Sequence, residues 1–241
     1  MIFFFCIIMV SLFSSTPKYI AHRAADNTMS ENTLESMKRM HEKGAMAFEV
    51  DCHLMKDGTL SIIHDERLKR TTTGRGKITK MTKLDLLDVF VIGGDGGERI
   101  PLLQDLMYYC HLHNLMLMIE VKGKNLKVID PIDDLIRAYD GNLFSIYAFE
   151  EKIVEAFMLK KPKYKVRWNM DKLNDRRLNK AKKLGIAINL NGRYVKHSDI
   201  EKLKTLDPEI HVFTVNNEDK ANELFDMGVT SIITDTLIRR E

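Results

Sequence analysis

Apolar positions along the chain fall into short runs with two different spacings. Compact runs rich in Ile, Val, Leu and Phe read as strands. They are "YIAH" (19–22), "MAFEVD" (46–51), "LSIIHD" (60–65), "MLMIEV" (116–121), "LFSIYAF" (143–149), "YKVRWN" (164–169), "IAINLN" (186–191), "HVFTV" (211–215) and "TSIITD" (230–235). Between them, apolar residues recur every three or four positions, the spacing of a helix with one buried face. "SENTLESMKRMHEKGA" is the first such stretch. Asn32 can cap it with Glu35 three residues on, Leu34, Met37 and Met40 or His41 share a face, and Gly44 stops it. Six more helix-like stretches begin near residues 102, 126, 150, 174, 197 and 217. In the second of these, Pro131 marks the first turn, where a missing N–H costs nothing.

The connections decide the architecture. "FEVDCHLMK" and "LSIIHD" are separated only by Asp57-Gly58, a tight-turn signal, so the two strands form an antiparallel hairpin. A two-residue turn there sets Asp51 opposite His64. Parallel strands need a crossover of a dozen or more residues, and all the other strands have one. Setting aside the return strand of the hairpin leaves eight strands, each joined to the next by a helical segment. That count in 241 residues predicts an α/β fold, a TIM (β/α)8 barrel with a β-hairpin extension after strand 2. An open doubly wound sheet is the competing architecture, but no Gly-rich nucleotide motif follows the first strand.

Composition narrows the class without changing it. At 44% hydrophobic the chain can bury a large core. With 37 basic and 34 acidic residues it lacks the charge excess of a nucleic-acid binder. Cys6, Cys52 and Cys110 have neither metal-site nor CxxC spacing and read as ordinary thiols. The run "IFFFCIIMVSLF" stands apart. It is too short for a simple membrane span, and it lacks the basic start and the small-residue cleavage site of a standard leader. Residues 1–16 are therefore either a signal or anchor, giving export or membrane contact, or an extension packed on a cytoplasmic barrel spanning 17–241. Oligomeric state is left open.

A barrel of this kind places its chemistry at the C-terminal ends of the strands. His22 ends the first strand, Glu49 and Asp51 the second, and Glu120 and Lys122 the "MLMIEVK" strand, with His64 beside them in the hairpin. Alternation puts Glu49 with Asp51, and Glu120 with Lys122, on one face. Three carboxylates on one rim repel, which a salt-bridge network with Lys122 and Arg23 or a divalent cation resolves. Oxygen-only ligands favour Mg²⁺ or Ca²⁺. Two histidines beside them suit an acid–base pair, and Arg23 and Lys122 suit an anionic, phosphate-bearing small molecule. His41, His111, His113 and His197 lie on helix patterns or loop edges and are given no role.

The motifs "IAHRAADNTMSENTLESM", "FEVDCHLMKDGTLSIIHDERLKRTTTGRG", "IEVK", "GGERIPLLQDL" and "VFTVNNEDKANELFDMGVTSIITD" resemble, in order, the patterns of the glycerophosphodiester phosphodiesterase family over residues 19–237. The resemblance implies hydrolysis of glycerophosphodiesters to glycerol 3-phosphate and an alcohol. It implies His22 and His64 as the catalytic pair, Glu49, Asp51 and Glu120 as metal ligands, and Arg23 and Lys122 as phosphate contacts. Glu31 and Asn32 match the Glu-Asn-Thr motif, and Phe149 and Phe213 stand where the family often has Ser-Phe and tryptophan. Ala24 replaces the usual glycine, which costs about 1 kcal/mol if that backbone requires φ > 0. The segment from Thr82 to Pro101 is short, without a large capping insertion. Two other readings stay open: lysophospholipase D-like action on membrane lysophospholipids, and a non-catalytic phosphoester-binding barrel. Removing residues 1–16 separates the readings of the N-terminus. An unchanged melting temperature identifies a leader or anchor, and a lowered one a packed extension.

Overall fold

The computed structural model describes residues 18–93, 96–139, 141–160 and 162–236, so the reading of residues 1–16 lies outside the described residues. Nine strands form one sheet: β1 (Tyr19–Ala21), β2 (Ala47–Leu54), β3 (Leu60–Ile62), β4 (Met116–Val121), β5 (Phe144–Ala148), β6 (Lys165–Met170), β7 (Ala187–Asn191), β8 (His211–Phe213) and β9 (Ser231–Thr234). All neighbours run parallel except β2 and β3. β1 pairs with β9 on one side and β2 on the other, which closes eight strands into a barrel and leaves β3 outside as the hairpin's return strand. Closure removes the sheet edges that an open sheet must protect. It is the barrel that the strand count predicts.

Helices α1 (Leu34–Glu42), α2 (Leu103–Leu112), α3 (Ile129–Arg137), α4 (Glu151–Leu159), α5 (Asp175–Leu184), α6 (His197–Lys204) and α7 (Glu218–Asp226) surround it. Each lies within a stretch that the apolar spacing marks as helical, and Pro131 falls in the first turn of α3. The main core lies between barrel and helices, where Met37 and Met40 of α1 meet outward residues of the strands such as Phe48 and Val50. Inside the barrel, Ile20, Ala47, Met118, Tyr147 and Ile233 form a separate apolar cluster. Among the described residues no helix is long and apolar enough to cross a membrane.

Two local readings need correction. The hairpin turn holds three residues, Lys56, Asp57 and Gly58, because the Met55 N–H donates to the Thr59 carbonyl at 2.8 Å. Gly58 takes φ +87, the left-handed conformation that such a turn requires. The register therefore pairs Cys52 with Ile62 and Leu54 with Leu60, and Asp51 faces Ile63 instead of His64. His64 leaves the ladder and enters the following loop. The cap of α1 is Thr33, not Asn32: the Thr33 hydroxyl accepts from Ser36 N–H at 3.0 Å. Asn32 has φ 59, incompatible with the extended backbone of a cap, and its side chain is occupied elsewhere.

Between β3 and α2 the chain builds a small second core from single 3-10 turns, at Leu68–Arg70, Ile78–Lys80 and Lys83–Leu86, and isolated bridges such as Thr72 to Val91. Met55, Ile63, Leu68, Ile78, Leu86, Val89 and Ile100 fill it. Gly74 is needed there for space: a Cβ would lie 2.8 Å from a Leu68 methyl and 2.9 Å from a Val89 methyl. This unit pins the loop that carries His64.

The cap assignment is testable. Thr33→Ala should lower stability by about 1 kcal/mol and the melting temperature by about 2–4 °C. Thr33→Ser keeps the hydroxyl and should retain most of both. Equal losses in thermal melts of the two variants would place the cap elsewhere.

Candidate functional site

The strand ends of β2 and β4 bring three carboxylates together. One oxygen each of Glu49, Asp51 and Glu120 lie within 4.8 Å of one another. Glu49 and Asp51 are buried, 2% and 1% exposed, and Glu120 is half-buried. Each is aimed by an uncharged donor. The Arg23 N–H donates to Glu49 Oε2 at 2.9 Å. The Asn32 amide spans Asp51, donating to Oδ2 at 2.8 Å and accepting its backbone N–H at 3.0 Å. Asn169 Nδ2 donates to Glu120 Oε2 at 3.0 Å.

The first of these contacts explains a local distortion. After β1 the chain makes a single 3-10 turn, His22–Ala24, in which Arg23 and Ala24 have φ 52 and 53. The position of the substituted glycine thus does require φ > 0. This turn points the Arg23 N–H inward at Glu49, while the Arg23 carbonyl accepts from Asn32 N–H at 2.6 Å. Left-handed backbone clustered at one place marks a site held against local preference.

Cations answer part of the negative charge. Lys122 Nζ lies 3.1 Å from Asp51 Oδ1 and 2.6 Å from Glu120 Oε1. Arg23 Nη1 donates to Glu31 Oε2 at 2.9 Å, and its Nε is 3.7 Å from Asp51. The salt-bridge reading is thus correct as far as Asp51 and Glu120. It fails for Glu49, whose Oε1 is buried with no hydrogen-bond partner. Burial, followed by the charge on Asp51, raises the Glu49 carboxyl to about 8. For Asp51 burial acts upward, but Lys122, then His64, Asn32 and Arg23, hold it below the ordinary value. An all-oxygen triad with one unsatisfied buried oxygen fits a hard divalent cation.

Two histidines flank the triad, each gripped through Nδ1 by an aspartate. His22 Nδ1 is 2.6 Å from Asp235 Oδ1, and its Nε2 is 3.8 Å from Glu49 Oε2. Burial depresses the His22 pKa, yet the Asp235 hydrogen bond and the Glu49 charge outweigh it and raise it. His64 Nδ1 is 2.7 Å from Asp65 Oδ1. Although out of register with Asp51, His64 remains close enough for its charge to act on that carboxylate.

Arg70 ties the two sides together. It donates to Asp65 from Nε at 2.6 Å and to both Glu31 oxygens, at 2.9 and 2.6 Å. Its hydrogen bonds hold Asp65 well below the usual carboxylate range. Glu31 thus receives both Arg23 and Arg70. Phe149 and Phe213 meet edge to face at 5.5 Å, Phe149 being 43% exposed, as an apolar wall. Nine of the eleven residues singled out in the sequence are joined by these contacts, and Phe149 and Phe213 touch each other. Those missed are Arg70, Asn169 and Asp235, and Asp65, visible at the end of "LSIIHD", is given no role by the sequence. The strand-end position of Asp235 and the adjacency of Asp65 to His64 were available signals.

A protein-family model described as the glycerophosphoryl diester phosphodiesterase family matches residues 22–238. A glycerophosphodiester phosphodiesterase of Caldanaerobacter subterraneus subsp. tengcongensis is 34% identical over 56% of this chain and 55% of its own length. One from Bacillus altitudinis is 29% identical, covering 90% of this chain and 94% of the relative. Among solved structures, an Oleispira antarctica phosphodiesterase in complex with the product sn-glycerol-3-phosphate superposes with a TM-score of 0.83 at 22% identity, covering 91% of this chain and 93% of that one. The last likeness is one of fold.

The raised Glu49 pKa has consequences for pH. In the metal-free protein Glu49 keeps its proton up to about pH 8, whereas the unfolded chain loses it near 4.5. The folded state then binds the extra proton, so this group's contribution to stability declines as pH rises from about 4.5 to about 8. Binding a cation at pH 7 should release about one proton, readable by calorimetry in buffers of different ionisation enthalpy. Glu49→Gln should remove that release, weaken metal binding and flatten the decline in melting temperature over the same pH range. A decline unchanged by the substitution would refute the assignment.

Proposed function

The chain belongs to the glycerophosphoryl diester phosphodiesterase family of phosphoric diester hydrolases, and we propose that it hydrolyses glycerophosphodiesters to sn-glycerol 3-phosphate and an alcohol by two-histidine acid–base catalysis. The observation that carries this reading is the pairing of His22 with Asp235 and of His64 with Asp65, on either side of the Glu49–Asp51–Glu120 triad. In each pair the aspartate occupies Nδ1, leaving Nε2 to exchange a proton with substrate.

Glu49, Asp51 and Glu120 would hold the cation, Mg²⁺ or Ca²⁺ by the hardness of their oxygens. Bound there, such an ion supplies positive charge for the non-bridging oxygens of a phosphodiester. The rest falls to side chains. Arg23, its guanidinium fixed by Glu31 at 2.9 Å, would set a permanent positive charge beside the phosphate. Burial opposes the charge on Lys122, but Asp51 and Glu120 raise its pKa, so it stays a cation. One histidine takes the proton from the attacking oxygen. That oxygen belongs to water, or to the neighbouring glycerol hydroxyl if a cyclic phosphate forms first. As the new P–O bond forms and the old one breaks, the other histidine gives a proton to the departing alkoxide. Phe149 and Phe213 offer a wall for the non-reacting part of the substrate.

A non-catalytic descendant of the family would be expected to have lost members of this constellation. His22, Arg23, Glu49, Asp51, His64, Glu120 and Lys122 are all present.

His22→Ala and His64→Ala should each lower kcat on glycerophosphocholine by about a hundredfold or more, with metal binding retained. A nitrophenyl phosphodiester, whose leaving group needs no proton, should rescue only the variant lacking the acid and so assign the roles. Near-normal kcat in either variant, or metal loss in both, would overturn the mechanism. Faster release of product from lysophosphatidylcholine than from glycerophosphocholine would redirect the substrate assignment to membrane lipids.

A further inference from the structure

Inside the barrel, below the carboxylate triad, lies a polar file that the mechanism above does not use. Asn169 of β6 and Asn189 of β7 stand at paired register positions, 3% and 0% exposed. Asn189 Nδ2 donates to Asn169 Oδ1 at 2.9 Å, and Asn169 Nδ2 donates in turn to Glu120 Oε2 at 3.0 Å. The order matters. A carboxamide presents a donor on one side and an acceptor on the other. With its oxygen occupied by the Asn189 amide, Asn169 can offer Glu120 only its N–H. A flipped Asn169 would set its oxygen against a carboxylate and leave Asn189 facing another donor.

We propose that Asn169, its amide oxygen held by Asn189, is the positioning residue for Glu120 as a metal ligand. It does for Glu120 what Asn32 does for Asp51 and what the Arg23 N–H does for Glu49. The inference rests on the metal-site reading above.

Lys122 cannot replace it. Its ammonium touches Glu120 Oε1 and Asp51 Oδ1 at once, and it is a cation that would compete with a bound ion for the same negative charge. Asn169 adds no charge. It occupies one lone pair of Oε2, leaving the second for a metal, and it loses nothing when an ion arrives. Burial matters too: a donor this deep has no water to exchange with, so its contact is kept.

The test titrates Mg²⁺ or Ca²⁺ into EDTA-stripped full-length protein by calorimetry, beside melting curves with and without ion. Asn169→Leu preserves shape and removes the donor. Its expected result is an ion Kd about tenfold to a hundredfold weaker, the usual effect of losing a group that orients a ligand, together with a lowered metal-free melting temperature, because buried Asn189 loses its acceptor. Asn189→Leu leaves the Asn169–Glu120 contact but frees the amide to turn, and a smaller loss, about fivefold, is expected. If Asn169→Leu does not fold, Asn189→Leu decides the matter alone. A lowered metal-free melting temperature with unchanged ion affinity would show a merely structural role and overturn the inference. Failure of the parent protein to bind either ion would instead overturn the metal reading together with it. Because ion binding is read without turnover, a parent that binds ion yet does not hydrolyse glycerophosphocholine would refute the activity alone.

Discussion

Three carboxylates converge at the mouth of a closed barrel, and most of the local structure around them answers their mutual repulsion. Burying one unpaired ion costs on the order of several kcal/mol, so Glu49, Asp51 and Glu120 could not share this place unassisted. The protein answers in two ways. Arg23, which Glu31 also holds, and Lys122 offset the charge on Asp51 and Glu120. Neutral donors aim every carboxylate without cancelling its charge. Glu49 is left under-neutralised, and its raised pKa registers the deficit. A buried carboxyl that keeps its proton for want of a nearby cation is poised to exchange that proton for a divalent ion.

The same constraint explains where the backbone is strained. Arg23, Ala24 and Asn32 all have left-handed φ, and all three lie in the segment that delivers the Arg23 N–H to Glu49 and the Asn32 amide to Asp51. Asparagine tolerates this conformation better than most residues, and the Asn32 side chain is the one that meets Asp51. Beyond the strain, the ion bridges through Arg70 link the turn after β1 to the loop after β3. His22 and His64 come from these two segments. Their separation is therefore fixed through Glu31 and not by the barrel alone.

Much of this was legible in the chain. Strand ends carry the triad because alternation and crossover length are strong constraints, and both are written in the spacing of Ile, Val and Gly residues. The hairpin register differs by one residue from the one that the sequence suggests, because Asp57-Gly58 fits a two-residue turn as well as the observed three-residue one, and nothing local chooses between them. Asn32 reads as a cap by residue type, yet Thr33 also fits, and the choice was made by Asp51, nineteen positions away. The small core around Leu68, Ile78 and Val89 has no period to detect, since single turns carry no repeat. Asn169 is invisible for another reason: an inward asparagine on a strand has meaning only once the strand opposite is known.

Ala24 shows how a departure from the family pattern is tolerated. Its left-handed backbone costs about 1 kcal/mol relative to glycine. Its methyl, however, is fully buried in the core between barrel and helices, and burying one carbon of that size gains about 0.8 kcal/mol. Strain and burial nearly offset, so the exchange leaves the turn in place. The Arg23 N–H still meets Glu49 at 2.9 Å, which is the contact that the turn exists to make. What selects the conformation is therefore the buried carboxylate on β2, with glycine only the easiest residue to place there.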